Sequence, residues 1–184
     1  MIKRSVDSIG ALLAYFIVFP FLLIFILLCA IDTKSSGLFL QQRIGQFGKP
    51  FIIFKLRTIH ASNNTISAWG KFVRKYKMDE LPQLINVLKG DMSLVGPRPD
   101  VAGYYDVLMG EERKILELKP GLTSEAALKY GNEDEILEQQ VDPLTYNDTV
   151  IFPDKVRLNL AYYYNRSFLG DVKILWKTIW LVFQ

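Results

Sequence analysis

Two adjacent carboxylates, Asp79 and Glu80, stand in the segment KMDELPQLINVLKGDMSLVGPRPD, which covers residues 77–100. Pro82 is tolerated in the first turn of a helix and Gly90 suits the position after the last turn, so LPQLINVLK is predicted to be a short helix. Both acids then lie at the helix start, where free N–H groups and the dipole favour negative charge. One interpretation is structural, with Asp79 as an N-cap. The other is chemical: a nucleophilic carboxylate or a pair of Mg²⁺ ligands.

The distribution of charge favours the chemical interpretation. Residues 1–78 contain eleven Lys/Arg against two acids, whereas residues 79–184 contain eleven against seventeen. Nine basic residues and no acid lie between Asp32 and Asp79. Such a tract attracts phosphates, and nearby cations favour the ionised form of a carboxylate. We therefore expect Asp79 to be held ionised beside cations that bind phosphate.

Four cations are candidates for binding phosphate. Strand alternation predicts that Lys55 and Arg57 point to the same face, and Arg74 lies in a basic helix. Arg98 lies between two prolines. The first fixes its own φ, and the second restricts the backbone of Arg98 to extended conformations. A guanidinium on so stiff a loop suits a diphosphate. Surface salt bridges, or a charged strand edge, are the structural alternatives.

The elements that must position these residues follow from hydrophobic periodicity. GLFLQQRIG and PFIIFKLRT, separated by QFGK, predict a β-hairpin. ISAWGKFVRKYKM places Trp69, Phe72, Val73 and Tyr76 at helical spacing among lysines, which predicts an amphipathic helix suited to a membrane surface. The Tyr- and Trp-rich end of the chain is typical of a core or of a bilayer interface.

The N-terminal segment from Ser8 to Ile31 carries no charged side chain. As a helix it would measure about 36 Å, enough to cross a bilayer core of roughly 30 Å. Pro20 at its centre predicts a kink. Because basic residues flank the segment on both sides, the positive-inside rule does not indicate which end would be translocated across the membrane. Two topologies therefore stay open: a spanning anchor, or a re-entrant hairpin broken at Phe19 and Pro20.

Composition excludes several classes of protein. With 184 residues, the chain has material for one domain and little more. The single cysteine, Cys29, and the single histidine, His60, exclude a disulfide framework and multi-histidine metal sites within the chain. Nucleic-acid binding is disfavoured, because the basic tract adjoins a membrane segment and contains no recognised nucleic-acid motif.

KLRT at 55–58, MDELPQLINVLKGDMSLVGPRP at 78–99 and KPGLT at 119–123 resemble the bacterial sugar transferase family, the monotopic phosphoglycosyl transferases. The resemblance implies a membrane enzyme that transfers a sugar-1-phosphate from a UDP-sugar to undecaprenyl phosphate and releases UMP. That reaction initiates assembly of a membrane glycan, with downstream glycosyltransferases as possible partners. The implied fold is α+β: a re-entrant membrane helix over residues 1–33, a small β-hairpin, and a mainly helical catalytic domain over 34–184. Amphipathic helices would hold this domain on the cytoplasmic face of the bacterial inner membrane.

The resemblance also implies residue roles. Asp79 would attack the β-phosphorus of the UDP-sugar and form an aspartyl-phosphosugar, and Glu80 would assist through Mg²⁺ or as a proton acceptor. Asp79 and Glu80 would be the Mg²⁺ ligands. The sequence departs from the family pattern at Gly131, where relatives carry an arginine for which Lys129 could substitute, and at Asn159, where they carry an aspartate. These departures affect sugar and nucleotide contacts and leave the Asp79 centre intact.

Two other functions are compatible with the residues. A Mg²⁺-dependent lipid-diphosphate phosphatase would use Asp79 and release inorganic phosphate in place of UMP. A catalytically inert membrane-surface adaptor would bind lipid and turn nothing over.

Overall fold

The computed structural model describes residues 2–182 and has an α+β fold, as expected. A long helix, a β-hairpin and two helices come first: α1 Ile2–Thr33, β1 Leu38–Ile44, β2 Pro50–Leu56, α2 Ala68–Lys75 and α3 Gln83–Lys89. A second strand pair follows, β3 Ser93–Val95 and β4 Gly121–Thr123. The remaining helices are α4 Glu125–Lys129, α5 Glu133–Glu138, α6 Pro143–Tyr146, α7 Phe152–Asn165 and α8 Phe168–Val182, with a π-helical turn over Asn147–Ile151 between α6 and α7. Short 3-10 turns lie at Gln46–Gly48, Met78–Glu80, Tyr105–Val107 and Glu112–Glu117.

The predicted hairpin is confirmed. β1 and β2 pair antiparallel, with Leu38 opposite Leu56 and Ile44 opposite Pro50. Residues directly opposite each other share a face. Phe39 and Arg43 on β1 therefore lie on the same face of the hairpin as Lys55 on β2.

The two predicted helices after the hairpin are also present. α2 begins after Ser67, whose side chain accepts a hydrogen bond from the N–H of Gly70, and its aromatic rings stack in series. α3 begins after Pro82 and ends at Gly90, where φ is +92°. That left-handed conformation is the reason a glycine closes the helix.

A parallel strand pair brings the middle of the chain back under α1. Ser93 pairs with Gly121 and Val95 with Thr123. A Cβ placed on Gly121 would lie 2.1 Å from the backbone nitrogen of Gly96. Only glycine permits so close an approach, so Gly121 allows the KPGLT segment to lie against the VGPRP loop.

Helix α1 is a single helix that continues through Phe19 and Pro20, so the predicted break is not seen as two separate helices. The re-entrant topology stays a prediction. The helix is long and apolar enough to cross a membrane. Much of its surface is apolar and exposed, including Phe16, Ile17 and Phe21.

Both ends of α1 contact the rest of the fold. Near the start, the Arg4 guanidinium donates to the carbonyl of Leu88, and Asp7 accepts a hydrogen bond from the Ser93 hydroxyl at 2.8 Å. Near the end, Asp32 accepts one from the Ser67 hydroxyl at 2.8 Å, and Cys29 is buried in a cluster with Leu56 and Val73. The helix therefore lies along the domain and does not project away from it.

Candidate active site

Asp79 and Glu80 lie in the 3-10 turn Met78–Glu80 that precedes α3, and each is 8% exposed. Lys77 begins the turn with φ +52°, a left-handed conformation that is uncommon for a residue other than glycine. The Asp79 carboxylate does not cap α3; its Oδ1 is buried without a hydrogen-bond partner among residues 2–182. A buried carboxylate oxygen left unpaired is costly, and a catalytic role or a bound ion or water is the usual explanation.

Glu80 is held by two cations. Both of its carboxylate oxygens accept hydrogen bonds from the Arg98 guanidinium, and the Lys55 ammonium lies 3.7 Å from Oε1. Burial pushes the pKa of Glu80 upward, but the charge and hydrogen bonds of Arg98, with Lys55, outweigh burial and lower that pKa to about 2. Glu80 is therefore ionised throughout the physiological range.

The pKa of Asp79 is shifted in the opposite direction. Burial and the neighbouring charge of Glu80 raise its pKa to about 6, although Lys55, Arg74 and Arg98 pull it down. The sequence predicted that cations would dominate here, and this is wrong, because the loss of water around the carboxylate has the larger effect. The ionised form still predominates at neutral pH. The pair thus consists of one carboxylate that is always ionised at physiological pH, Glu80, and one whose pKa lies close to neutral pH, Asp79.

Asn86 fixes α3 against the hairpin. Its amide nitrogen donates to the carbonyl of Ile52 at 2.7 Å, and its Oδ1 accepts from the N–H of Phe54 at 3.1 Å. The free edge of β2 is thereby satisfied by a buried side chain. This pairing sets the register between Lys55 on β2 and the acids at the start of α3.

Of the other predicted phosphate-binding residues, one lies near the acids and the others do not. Arg74 is close enough to lower the pKa of Asp79, but its guanidinium also forms a 3.2 Å ion pair with Asp134 in α5. Arg57 donates to the carbonyl of Ser36 and lies over the Phe39 ring, and no contact joins it to the acids among the described residues. Lys129 forms a 2.7 Å ion pair with Asp154. The structure thus brings Lys55, Arg98 and Arg74 to the acids and engages Lys129 elsewhere.

Sequence reasoning missed Arg43. It lies 3.5 Å from Asp100, and its charge acts on Arg98 and Glu80. Burial lowers the pKa of Arg43, and its Nε has no hydrogen-bond partner among residues 2–182. The signal was available, because the hairpin register places Arg43 on the Lys55 face. Arg43 is thereby a further cation near Arg98 and Glu80.

The two departures from the family pattern lie on the α4–α5 side and in α7. The carbonyl of Gly131 accepts from the Lys77 ammonium at 2.8 Å, which ties the segment before α5 to the turn that carries Asp79. Asn159 is buried and donates to the Tyr105 hydroxyl at 2.8 Å. An amide in that position makes an ordinary neutral hydrogen bond within the core.

The donor set fits Mg²⁺ in one respect. This ion is bound by one or two carboxylates together with water and substrate phosphates, so a cage of three acids is unnecessary, and the described residues contain none. The unpaired Oδ1 of Asp79 is a suitable oxygen ligand. Glu80 is committed to Arg98 and would have to release it to join.

Comparison with known proteins agrees with this arrangement. A family model described as bacterial sugar transferase matches residues 1–184. A UDP-glucose:undecaprenyl-phosphate glucose-1-phosphate transferase from Caulobacter vibrioides is 32% identical over 195 residues, covering 96% of this chain and 68% of the relative. A UDP-N-acetylgalactosamine-undecaprenyl-phosphate N-acetylgalactosaminephosphotransferase from Aeromonas hydrophila is 31% identical, covering 97% of this chain and 43% of that relative.

An uncharacterized sugar transferase from Bacillus subtilis is 31% identical and is matched over 86% of its length by 97% of this chain. The relatives thus differ in length and in the sugar that their names specify. Each of these matches covers 96% or 97% of this chain. The chain therefore belongs to the bacterial sugar transferase family.

Proposed function

We propose that this protein is a phosphoglycosyl transferase that moves a sugar-1-phosphate from a UDP-sugar to undecaprenyl phosphate. The observation that carries the proposal is the Asp79 carboxylate, buried with an unpaired oxygen beside Lys55 and the Glu80–Arg98 pair. The names of the Caulobacter and Aeromonas relatives specify the same donor and acceptor classes. The product would be an undecaprenyl-diphospho-sugar, the first membrane-bound intermediate of a glycan.

In the first step a carboxylate oxygen of Asp79 forms a bond to the β-phosphorus of the UDP-sugar. The bond from that phosphorus to the bridging oxygen breaks, and the oxygen leaves with its electron pair as part of UMP. In the second step a phosphate oxygen of undecaprenyl phosphate attacks the same phosphorus and releases the Asp79 carboxylate. Charge balances in both steps without a net proton transfer when the acceptor is a dianion, so nucleophilic catalysis needs no separate base.

Glu80 is accordingly a positioning residue. A carboxylate with a pKa of about 2 is a poor proton acceptor at neutral pH. It fixes the Arg98 fork, whose remaining donors and positive charge face an incoming diphosphate. Mg²⁺ held by Asp79, with Glu80 as a second ligand only when it releases Arg98, would supply further neutralisation of the diphosphate charge.

A UMP-release assay across a panel of UDP-sugars, with undecaprenyl phosphate in detergent, tests the reaction. We expect UMP to appear only with a matching sugar and in step with the lipid-linked product. Release of inorganic phosphate from a lipid diphosphate would instead indicate the phosphatase. No turnover of any donor, with lipid binding intact, would indicate the adaptor.

The rate of UMP release should fall as the pH drops through about 6. Asp79 has its pKa raised to about 6, so its nucleophilic form is present above that pH and is lost below it. The measurement is kcat/KM between pH 5 and 8 at limiting Mg²⁺, since a bound cation favours the ionised carboxylate and moves the midpoint down. A flat profile from pH 5 to 7 under these conditions would contradict the role of Asp79.

We further propose that α1 enters and leaves the membrane on the same face. Its two ends contact one domain, through Arg4 and Asp7 at the start and Asp32 at the end. A spanning helix would separate these ends by a bilayer core of ~30 Å and draw the polar partners Ser93 and Ser67 into lipid. The exposed apolar face of α8, with Trp176 and Trp180, would rest on the same cytoplasmic surface of the inner membrane.

Cysteine labelling tests this topology. In a Cys29→Ala background, Ser5→Cys and Ser35→Cys each place one thiol at an exposed position beside an end of α1. With a membrane-impermeant maleimide, we expect neither variant to be labelled in intact spheroplasts and both to be labelled after lysis. Labelling of one variant alone in intact spheroplasts would restore the spanning anchor.

A further inference from the structure

A cavity of about 170 Å³ lies where α1 begins, and its lining includes none of the residues that surround Asp79. It exceeds the ~150 Å³ of a cavity known to admit a benzene-sized guest. Segments far apart in sequence contribute to it: the start of α1, the strand β3, the loop before β4 and the end of α7. Four of its lining residues are cations: Lys3, Arg4, Lys119 and Arg166.

Three of these cations lack a carboxylate partner. Lys3 is paired with Asp171 at 2.6 Å, but among residues 2–182 no carboxylate oxygen lies within 4.0 Å of Arg4, Lys119 or Arg166. Arg4 and Lys119 donate to neutral backbone carbonyls at the end of α3, Lys119 to that of Gly90 at 2.6 Å. The Arg166 guanidinium lies over an aromatic ring. Among residues 2–182 these three side chains therefore have neutral partners and no carboxylate partner.

The two acids that line the cavity are already engaged. Asp7 accepts from the Ser93 hydroxyl at 2.8 Å and from the N–H of Leu94 at 3.2 Å, and it lies 3.8 Å from Lys3. Glu117 accepts from the Tyr163 hydroxyl at 2.6 Å. Asp7 is thus occupied at both carboxylate oxygens and Glu117 at one, and the four cations outnumber these two acids in the lining.

The location of the cavity points to its ligand. Lys3 and Arg4 lie within five residues of Ser8, where the apolar run of α1 begins, so in the topology proposed above the cavity lies near the membrane surface. Several cationic donors that converge from different segments suit a tetrahedral anion with several acceptor oxygens, and an arginine fork suits phosphate in particular. Basic pockets at this depth are typical of sites for phospholipid headgroups.

We propose that the cavity lined by Arg4, Lys119 and Arg166 binds a phosphate group, carried either by an anionic phospholipid headgroup or by free phosphate. This site is separate from the one at Asp79, and the proposal does not depend on the transferase reaction. Because Arg4 and Lys119 also hold the end of α3, the bound anion would stabilise the folded state. A ligand that binds only the folded state stabilises it by RT ln(1 + [L]/Kd), so the melting temperature rises with ligand concentration.

Thermal unfolding of the full chain in a neutral detergent, followed by tryptophan fluorescence, tests the site. The probes are short-chain phosphatidylglycerol, short-chain phosphatidylcholine and inorganic phosphate, with sodium chloride at matched ionic strength as the control. We expect phosphatidylglycerol or inorganic phosphate to raise the melting temperature beyond the salt control. A shift with the lipid alone assigns the site to a headgroup, and a shift with inorganic phosphate assigns it to free phosphate.

Variants separate this cavity from the Asp79 site, which also attracts phosphate. Arg166→Gln and Lys119→Gln should reduce the shift at least threefold at a fixed probe concentration. Lys173→Gln removes one charge from an exposed position on α8 and should retain the shift. Arg166 is exposed, so its variant keeps the test valid if Lys119→Gln fails to fold. An equal shift in wild type and Arg166→Gln, or no shift with any probe, would overturn the proposal.

Discussion

Asp79→Asn should abolish both UMP release and covalent labelling of the protein by a UDP-sugar labelled in the sugar. The amide is nearly isosteric, but its neutral oxygen is a far weaker nucleophile toward the β-phosphorus. Loss of a nucleophile that forms a covalent intermediate lowers kcat by roughly 10⁴-fold or more. Wild type, quenched in acid before undecaprenyl phosphate is added, should carry one sugar-phosphate per chain.

The same substitution should stabilise the protein. In the folded state burial and Glu80 raise the pKa of Asp79 to about 6 from an ordinary value of 3.8. The folded state therefore holds its proton to higher pH than the unfolded chain, and stability falls as the pH rises between these two values. Above pH 6 the full penalty is present, on the order of 3 kcal/mol. Asp79→Asn removes it, so its melting temperature at pH 7.5 should exceed that of wild type.

Asp148→Asn is the matched control, because Asp148 is exposed and lies in the π-helical turn, outside the residues assigned to the reaction. It should keep both the label and UMP release, and its melting temperature should not rise. Label that persists on Asp79→Asn would place the nucleophile at another residue. A fall in the melting temperature of Asp79→Asn would mean that the carboxylate supports the fold and is not held at a cost.

The elements around Asp79 were predictable because each has a local cause. The alternation in PFIIFKLRT is enough to predict β2, and Pro82 with Gly90 is enough to bound α3. Lys55 was expected near the acids only as part of the basic tract, and Arg98 only as a cation on a stiff loop. Their contacts to Glu80 depend on Asn86 joining α3 to β2, a pairing between residues more than thirty positions apart in the chain.

Other features of the site could not be predicted from the sequence. The pKa of Asp79 depends on burial, which no local pattern specifies, and it reverses the effect expected from the nine cations. The ion pair of Arg74 with Asp134 depends on where α5 packs, which no local pattern in the sequence specifies. The sequence also does not determine that α1 continues as one helix through Pro20.

The largest loss after that of the nucleophile should come from Arg98→Ala. Glu80 is buried and would keep only Lys55 as a cationic partner, 3.7 Å away. Breaking a fully buried ion pair costs ~3–5 kcal/mol, but the Arg98 side chain is 40% exposed, and solvent screening reduces the expected loss of stability to about 2 kcal/mol. UMP release should fall by at least ~10²-fold, because the fork that meets the diphosphate is absent. Urea unfolding and the UMP assay measure the two effects.

Arg98→Lys and Glu80→Gln separate charge from geometry. Lysine keeps the positive charge but cannot make two parallel hydrogen bonds to Glu80, so it should recover most of the stability and little of the activity. Glutamine at position 80 removes the negative charge that raises the pKa of Asp79, so the acid limb of the rate profile should move below pH 6 while activity falls. An unmoved acid limb in Glu80→Gln would show that the two acids are not coupled. Full activity in Arg98→Lys would show that only the positive charge of Arg98 contributes to the reaction and that the geometry of its guanidinium does not.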